Sequence, residues 1–149
     1  FMVGSPWQTT ENLVQDLLFI KKFQPHMVGI GPFIPHHDTP LAAFPAGSIT
    51  LTLRLLAILR LLTPKLLLPA TTALNTLSEK GHQLGILAGA NVIMPNLSPQ
   101  DVRAKYTLYD NKRSTGSEAA EGIAILKAQL AEIGYSVPVS RGDAPGVKL

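Results

Sequence analysis

The sequence MVGIGP at residues 27–32 is a short apolar run that ends in glycine and proline. A run of this length, bounded by turn residues, is typical of a strand that is buried on both faces of a parallel sheet. The same ending, an apolar residue followed by proline, recurs at Leu68-Pro69 and at Met94-Pro95. These endings predict strands at residues 27–30, 66–68 and 91–94. A fourth strand is predicted at residues 1–4. Because no residues stand before it to form the rest of the strand, we expect the chain to be a fragment that was cut inside a strand.

Helical patterns fill the intervals between these strands. Capping residues and apolar spacing predict helices at residues 9–24, 48–63, 78–87, 98–106 and 117–134. Strands that alternate with helices pair in parallel through right-handed crossovers.

Four βα units make half of an eightfold barrel. The predicted fold class is therefore α/β, with a (β/α)4 half of a TIM-type (β/α)8 barrel over residues 1–112 and a C-terminal helix and tail over residues 113–149. A flavodoxin-like open sheet is the main alternative, but it would usually add a fifth strand and a glycine-rich phosphate loop.

The composition excludes several classes of function. The chain has 149 residues, of which 46% are hydrophobic and 15% charged, and it contains no cysteine. Without cysteine, this chain by itself holds no disulfide and no thiolate-bound metal or iron-sulfur cluster. The net charge of +3 is dispersed, so we expect no nucleic-acid partner. The strongest apolar run, at residues 51–68, is interrupted by charged residues and proline, so we expect no membrane span and a cytoplasmic protein.

Candidate site residues follow the strands, because active sites of parallel barrels lie at the C-terminal ends of their strands. Thr71 and Thr72 offer two adjacent hydroxyls and two backbone donors, which suit a carboxylate or another small anion. The alternative is an ordinary turn or helix cap. Met27 and Met94 could face a sulfur-rich or organometallic ligand, or belong to the core.

Two further groups of residues are candidate ligands. His36, His37 and Asp38 contain metal-ligating groups, but adjacent histidines on a loop are expected to diverge and no further ligand is evident, so no metal site is predicted. Tyr106 and Tyr109 are three residues apart and could reach across the barrel mouth, or pack as ordinary surface tyrosines. The other histidines, His26 and His82, are expected at the surface.

Four sequence blocks resemble the HydE type of radical S-adenosylmethionine (SAM) hydrogenase maturase, within the biotin synthase-like radical SAM superfamily. The blocks match that family in their order and spacing. They are MVG at residues 2–4, MVGIGPFIPH with DTP at residues 27–40, PATTA at residues 69–73 and GANVIMPN at residues 89–96. The resemblance extends to about Lys112. Four positions depart from the family: Trp7 replaces a usual glycine, His37 replaces a usual proline, and Asp110-Asn111 replaces Pro-Gly.

The resemblance implies that these strands are the fifth to eighth of a radical SAM barrel. The other half would carry a CxxxCxxC loop and a 4Fe-4S cluster, which cleaves SAM reductively to a 5'-deoxyadenosyl radical. The implied substrate is a cysteine-derived organometallic precursor of the two-iron subcluster of [FeFe]-hydrogenase. The implied partners are the missing N-terminal half barrel and other hydrogenase maturation proteins, and the isolated chain is predicted to be inactive.

The resemblance also implies roles for residues at the strand ends. Those implied to contact SAM are Val3, Gly4, Ile30, Pro32, Ile34, Tyr106 and Tyr109. Those implied to contact the substrate or its anionic group are Met27, Thr71, Thr72 and Met94. No catalytic residue and no metal ligand is assigned within this chain.

Two other functions remain open. Another radical SAM enzyme, of the biotin synthase or methylornithine synthase type, would share the architecture but would be expected to differ in the Pro-Ala-Thr-Thr and Met-Pro-Asn loops. A non-catalytic half barrel could instead bind a small anion or pair with a second copy of itself. Exposed strand edges and an unfilled interior would favour self-association of such a half barrel.

Overall fold

The computed structural model describes residues 1–95, 99–103, 105, 108–112 and 119–145. The strands within these ranges are β1 (Met2–Val3) and β2 (Gly31–Pro32). The helices are α1 (Thr10–Phe23), α2 (Ile49–Leu62), α3 (Thr72–Leu77), α4 (Gly81–Leu87), α5 (Gln100–Arg103) and α6 (Ala119–Glu132). The chain is a mixed α/β protein with a small parallel sheet.

The strand segments follow one another in space in the same order as in the chain. β1 and β2 pair in parallel, with Met2 opposite Gly31. Parallel bridges then join Met27 to Leu67, Ile30 to Ala70 and Pro69 to Val92. The predicted parallel pairing is confirmed. A half barrel requires this consecutive order, whereas a doubly wound sheet reverses its order at a switch point.

The segments near residues 67–70 and 92 form single bridges rather than continuous strands. Proline has no N–H to donate, so Pro69 interrupts the ladder. One hydrogen bond of the ladder is made by a side chain instead of the backbone, because the backbone N–H of Leu68 donates to Asn91 Oδ1 at 2.8 Å. Pro69, which marks a strand end in the sequence, therefore also shortens the regular strand there, whereas Pro32 lies within β2.

Helices α1 and α2 cover one face of the strand segments. Their bounds agree with the prediction to within two residues, and both are capped as predicted, by Thr9 and Ser48. The main core combines strand and helix side chains, which are Val3, Leu13, Leu17, Ile20, Ile30, Leu55, Leu56, Leu59, Leu66, Leu68 and Leu74. None of the helices in the described ranges is long and apolar enough to cross a membrane.

The opposite side of the strand segments is open. Successive side chains of a strand point to opposite faces. Val3 is therefore fully buried while its neighbour Met2 is 57% exposed, and Met27 and Met94 are 45% and 58% exposed. These methionines lie away from the helix-facing core.

Two features of the helices differ from the prediction. Helix α3 was not predicted, because its six residues are too few to show a helical period. Arg60 of α2 turns inward, which the sequence pattern did not predict. Its Nε donates to the carbonyl of Gly89 at 2.8 Å, and its Nη1 donates to those of Pro64 and Leu66 at 2.7 and 2.9 Å. The side chain therefore ties α2 to two later segments.

Helix α6 packs on a second, smaller core. Leu130 lies there with Ala70, Ile86 and Ala90. Gln83 of α4 adds polar contacts, because its Nε2 donates to the Gln129 carbonyl at 2.9 Å and to Glu132 Oε2 at 3.0 Å. The last described helix is thus packed against the βα units.

Candidate functional site

The hydroxyl of Thr71 is buried at the end of a strand segment and makes no hydrogen bond with any described residue. Thr71 occupies the N-cap position of α3, yet its side chain makes no capping hydrogen bond. A buried polar group without a partner is uncommon in native proteins, because it loses its bonds to water without replacing them. The helix-cap alternative therefore leaves the Thr71 side chain unexplained, whereas a ligand would give it a partner.

Gly31 packs closely against this hydroxyl. A β-carbon at Gly31 would lie only 2.6 Å from Thr71 Oγ1 and 3.5 Å from the Ala73 β-carbon. Gly31 belongs to β2, so two neighbouring strand ends shape the same small space. Sequence analysis did not assign a role to Gly31, although its place within the resembling block was a usable signal.

The neighbouring Thr72 and Tyr109 also come to this region. Thr72 is the first residue of α3 and is half-buried, and its carbonyl accepts a hydrogen bond from Thr76 Oγ1 at 2.9 Å. Tyr109 is half-buried, and burial raises the pKa of its phenol, while a hydrogen bond with Thr76 opposes that shift. Tyr109 thus lies beside α3. Tyr106 falls outside the described residues.

The turn after β1 is held by a glutamine. Gln8 Oε1 accepts from the Gly4 backbone N–H at 2.7 Å, and its Nε2 donates to the Met2 carbonyl at 2.9 Å. Gly4 has a φ of +81°, and a β-carbon there would lie 2.6 Å from the Gly47 Cα. The close approach of the two backbones therefore requires glycine at position 4.

Trp7 has a φ of +64°, in the left-handed region that favours glycine. This is the position at which the resembling family usually has glycine. The indole is 80% exposed and lies edge-on to Phe44 of the β2–α2 loop, with ring centroids 5.2 Å apart. The bulky side chain is accommodated by the neighbouring loop.

The residues that resemblance links to SAM differ in their access to a ligand. The side chains of Val3 and Ile30 are fully buried in the helix-facing core, and Pro32 is also buried. Any contact from Val3 or Ile30 would therefore use backbone atoms. Gly4 is exposed and Ile34 is half-buried.

A second cluster lies on the β2–α2 loop, where we expected adjacent histidines to diverge. That expectation is wrong for His36 and His37, whose rings stack with centroids 4.4 Å apart and planes 20° apart. His37 Nδ1 lies 2.6 Å from Asp110 Oδ1. Asp38 Oδ2 lies 3.4 Å from His37 Nε2 and 3.9 Å from His36 Nδ1. Sequence analysis missed Asp110, because it comes from 73 positions further along the chain.

His37 and Asp110 each shift the pKa of the other toward its charged form. The hydrogen bond to Asp110 raises the pKa of His37, and the nearby Asp38 carboxylate adds to the effect. The same hydrogen bond lowers the pKa of Asp110. His37 and Asp110 are two of the positions at which the chain departs from the resembling family, and they contact each other.

Curated proteins of two kinds are similar to this chain. The [FeFe] hydrogenase maturase subunit HydE of Thermotoga maritima is 52% identical over 111 residues, which cover 74% of this chain and 32% of that protein. The 3-methylornithine synthase of Methanosarcina acetivorans is 36% identical over 91 residues, and that of Methanosarcina barkeri is 32% identical over 100 residues. The chain spans a quarter to a third of the lengths of these relatives. No protein-family model matches it.

Proposed function

We propose that this chain, which belongs to the HydE type of radical SAM proteins, forms the C-terminal half of a (β/α)8 barrel. Three observations support this. The strand segments are parallel and consecutive, their face opposite the helices is open, and the chain spans 32% of the Thermotoga maritima HydE. In this proposal residues 1–112 form the half barrel and residues 113–149 add a helix and a tail. The other half barrel, with the cluster-binding cysteines, is the principal partner.

The hydroxyl of Thr71, which is buried and has no partner among the described residues, is the observation that carries the proposed site. A hydroxyl in this position donates a hydrogen bond to a carboxylate or another anion of a bound substrate. Gly31, which lies against this hydroxyl, has no side chain to block the approach of such a group. Thr72 is adjacent, so a substrate anion held at Thr71 would lie beside both threonines. The proposed substrate class is a small organometallic or amino-acid-derived molecule with an anionic group.

The strand ends fit SAM mainly through their backbone. Gly4 is exposed and makes a close backbone approach to Gly47 that admits no β-carbon. We propose that Gly4, Pro32 and Ile34 lie against SAM, with Val3 and Ile30 contributing backbone atoms and Tyr109, with Tyr106, approaching from the later segment. When SAM and the 4Fe-4S cluster are bound in the complete barrel, they supply the radical chemistry.

The chain's own residues would orient the substrate and exclude water from it. Met27 and Met94 lie on the open side of the strand segments, where their thioethers would form an apolar wall. Thr71 would hold the anionic end of the substrate at a fixed place below that wall. Orientation of this kind contributes to rate by holding the reacting atom close to the group that attacks it.

A methylornithine synthase-like activity is the second candidate, and the similarity to two such proteins favours it over other classes. Their identities, 36% over 91 residues and 32% over 100 residues, are lower than the 52% over 111 residues found for HydE. The HydE-type reaction is therefore the principal proposal.

A chimera tests the proposed function. The 111-residue stretch of Thermotoga maritima HydE that aligns with this chain is replaced by the corresponding residues of this chain. We expect the purified chimera, with a reconstituted cluster and a reductant, to form 5'-deoxyadenosine and to activate [FeFe]-hydrogenase in a maturation assay. The isolated 149-residue chain, which lacks cysteine, should form none.

Two variants of the chimera test the site. Thr71→Val should lower maturation roughly tenfold or more, because a hydrogen bond to a charged group is worth about 1.5–3 kcal/mol. Thr52→Val removes an equally buried hydroxyl that is already paired within α2, and it should leave turnover unchanged. A chimera that carries its cluster but cleaves no SAM would contradict the proposal, and formation of 3-methylornithine would favour the second candidate.

A further inference from the structure

The cluster of His36, His37, Asp38 and Asp110 shares no residue with the proposed substrate site. The ligand atoms of His36, His37 and Asp110 all lie within 4.8 Å of one another. The side chains of His36 and Asp110 are 16% and 34% exposed, so two of these groups are partly shielded, while His37 faces solvent. The cluster joins the β2–α2 loop to the segment at residues 108–112.

We propose that His36, His37 and Asp110 bind a divalent transition-metal ion, with Asp38 available as a fourth ligand. Imidazole nitrogen and carboxylate oxygen form the ligand set that zinc, cobalt and nickel accept in proteins. Two carboxylates and two neutral imidazoles carry a charge of about −2, which balances a divalent cation. The site is independent of the proposed iron-sulfur cluster, because it uses no cysteine.

The distances allow this coordination after small side-chain movements. Tetrahedral zinc with bonds of about 2.0–2.1 Å places its ligands roughly 3.3 Å apart. The 3.9 Å between His36 Nδ1 and Asp38 Oδ2 is close to this spacing. His37 faces Asp110 through Nδ1 and Asp38 through Nε2, and only one ring nitrogen binds a given ion, so Asp38 joins the site only after its side chain turns toward the Asp110 side of the ring. The 2.6 Å between His37 Nδ1 and Asp110 Oδ1 must widen by about 0.7 Å, and ligand atoms as far as 4.8 Å apart must approach by up to about 1.5 Å.

The backbone already brings the two segments together. The backbone N–H of Asp110 donates to the Pro35 carbonyl at 3.1 Å, and that of Asp38 donates to His36 Nδ1 at 3.1 Å. Because the two segments are held together before any metal binds, less conformational entropy is lost on binding. A bound metal would tie residues 108–112 to the β2–α2 loop. It would thereby fix Tyr109, which hydrogen-bonds Thr76 beside the proposed substrate site.

Zinc binding to the untagged 149-residue chain tests this site. After removal of metals with a chelator, equilibrium dialysis against Zn²⁺ at mildly alkaline pH should give one equivalent bound per chain. His37→Gln and Asp110→Asn should each weaken binding roughly tenfold or more, because loss of groups even beyond the direct ligands costs 10–100-fold. His26→Gln is the matched control, since His26 is exposed and lies outside the cluster, and it should bind zinc like the unmodified chain.

Amide hydrogen exchange gives a second readout that does not depend on a loss of affinity. Zinc should slow exchange of the Asp110 amide, which donates to Pro35, in the unmodified chain and in His26→Gln but not in His37→Gln. The proposal is overturned if the unmodified chain binds no more zinc than His37→Gln and Asp110→Asn, or if His26→Gln weakens binding as much as they do. These outcomes leave the proposed SAM function untouched, because the chimera is assayed separately for 5'-deoxyadenosine.

Discussion

At the residue scale, Thr71 is where the proposed ligand binding should be coupled to stability. Its hydroxyl is buried, unpaired among the described residues, and so close to Gly31 that a β-carbon at Gly31 would clash with it. Sequence analysis selected Thr71 because it directly follows an apolar strand. Asp110 could not be found in this way, because its contact with His37 depends on tertiary structure and no local sequence pattern indicates it.

We expect Thr71→Val to stabilise the ligand-free chain by about 1 kcal/mol, because valine removes the desolvated hydroxyl and keeps the shape of the side chain. Thr52→Val should destabilise the chain by about 1 kcal/mol, because the Thr52 hydroxyl is fully buried and donates to the Ser48 carbonyl at 2.8 Å. Urea denaturation of both variants measures the free energy of unfolding. Equal losses in the two variants would mean that the Thr71 hydroxyl has a partner without any ligand.

The His37–Asp110 pair should make stability depend on pH in the metal-free chain. His37 has a pKa raised above 6.5, so its contribution is complete below pH 6.5 and is lost as the pH rises through the folded-state value. Asp110 has a pKa lowered below 3.8, so its contribution is complete above pH 3.8 and is lost as the pH falls through the folded-state value. The window of full stabilisation therefore runs from pH 3.8 to pH 6.5. His36 and Asp38 face the same pair. The charge of Asp38 helps to raise the pKa of His37, and that of His36 helps to lower the pKa of Asp110, so both residues affect the limits of this pH window.

An NMR titration of the imidazole resonances checks this prediction. Asp110→Asn should lower the pKa of His37 toward its ordinary value, because the main hydrogen-bonded partner loses its charge. Asp101→Asn, which changes an exposed carboxylate in α5, should leave the pKa of His37 where it is. An unchanged pKa in Asp110→Asn would show that the pair does not form.

At the scale of elements, local signals predicted the helices better than the strands. Helices α1 and α2 have strong caps at Thr9 and Ser48 and several turns of regular apolar spacing, so both their existence and their bounds could be predicted. The strands depend on pairing between distant segments, and Pro69 and the Asn91 side chain break the ladder in a way that composition does not show. The inward turn of Arg60 likewise depends on carbonyls that lie elsewhere in the chain.

Arg60 should be the polar side chain of α2 that matters most for stability. Arg60→Met leaves three carbonyl groups without their donor, and we expect it to lower the free energy of unfolding by about 2 kcal/mol. Arg54→Met changes an exposed arginine of the same helix, and its effect should stay within about 0.5 kcal/mol. Thermal and urea denaturation compare the two. Similar small losses in both variants would show that the inward hydrogen bonds contribute little.

For the whole molecule, the open side of the strand segments should drive association. Met2, Met27 and Met94 are exposed there, and no described residue pairs with the outer edge of β1 or with that of the segment near residue 92. We therefore expect sedimentation velocity to show self-association that increases with the concentration of the chain.

Substitutions on two surfaces locate the association. Met27→Lys should reduce it, because the charge lies on the open side, whereas Leu61→Lys, at an 81% exposed position on α2, should not. A monomer at every concentration would count against the half barrel. If only Leu61→Lys reduced self-association, the interface would lie on the helical surface instead.

The central claim is that this chain is one part of a HydE-type radical SAM enzyme. The most direct test is to determine the coding sequence upstream of the codon for Phe1 in the source genome. The account predicts an open reading frame that encodes four further βα units and a CxxxCxxC motif. An in-frame stop codon without such a motif would contradict the enzyme and leave a half barrel that binds a small anion.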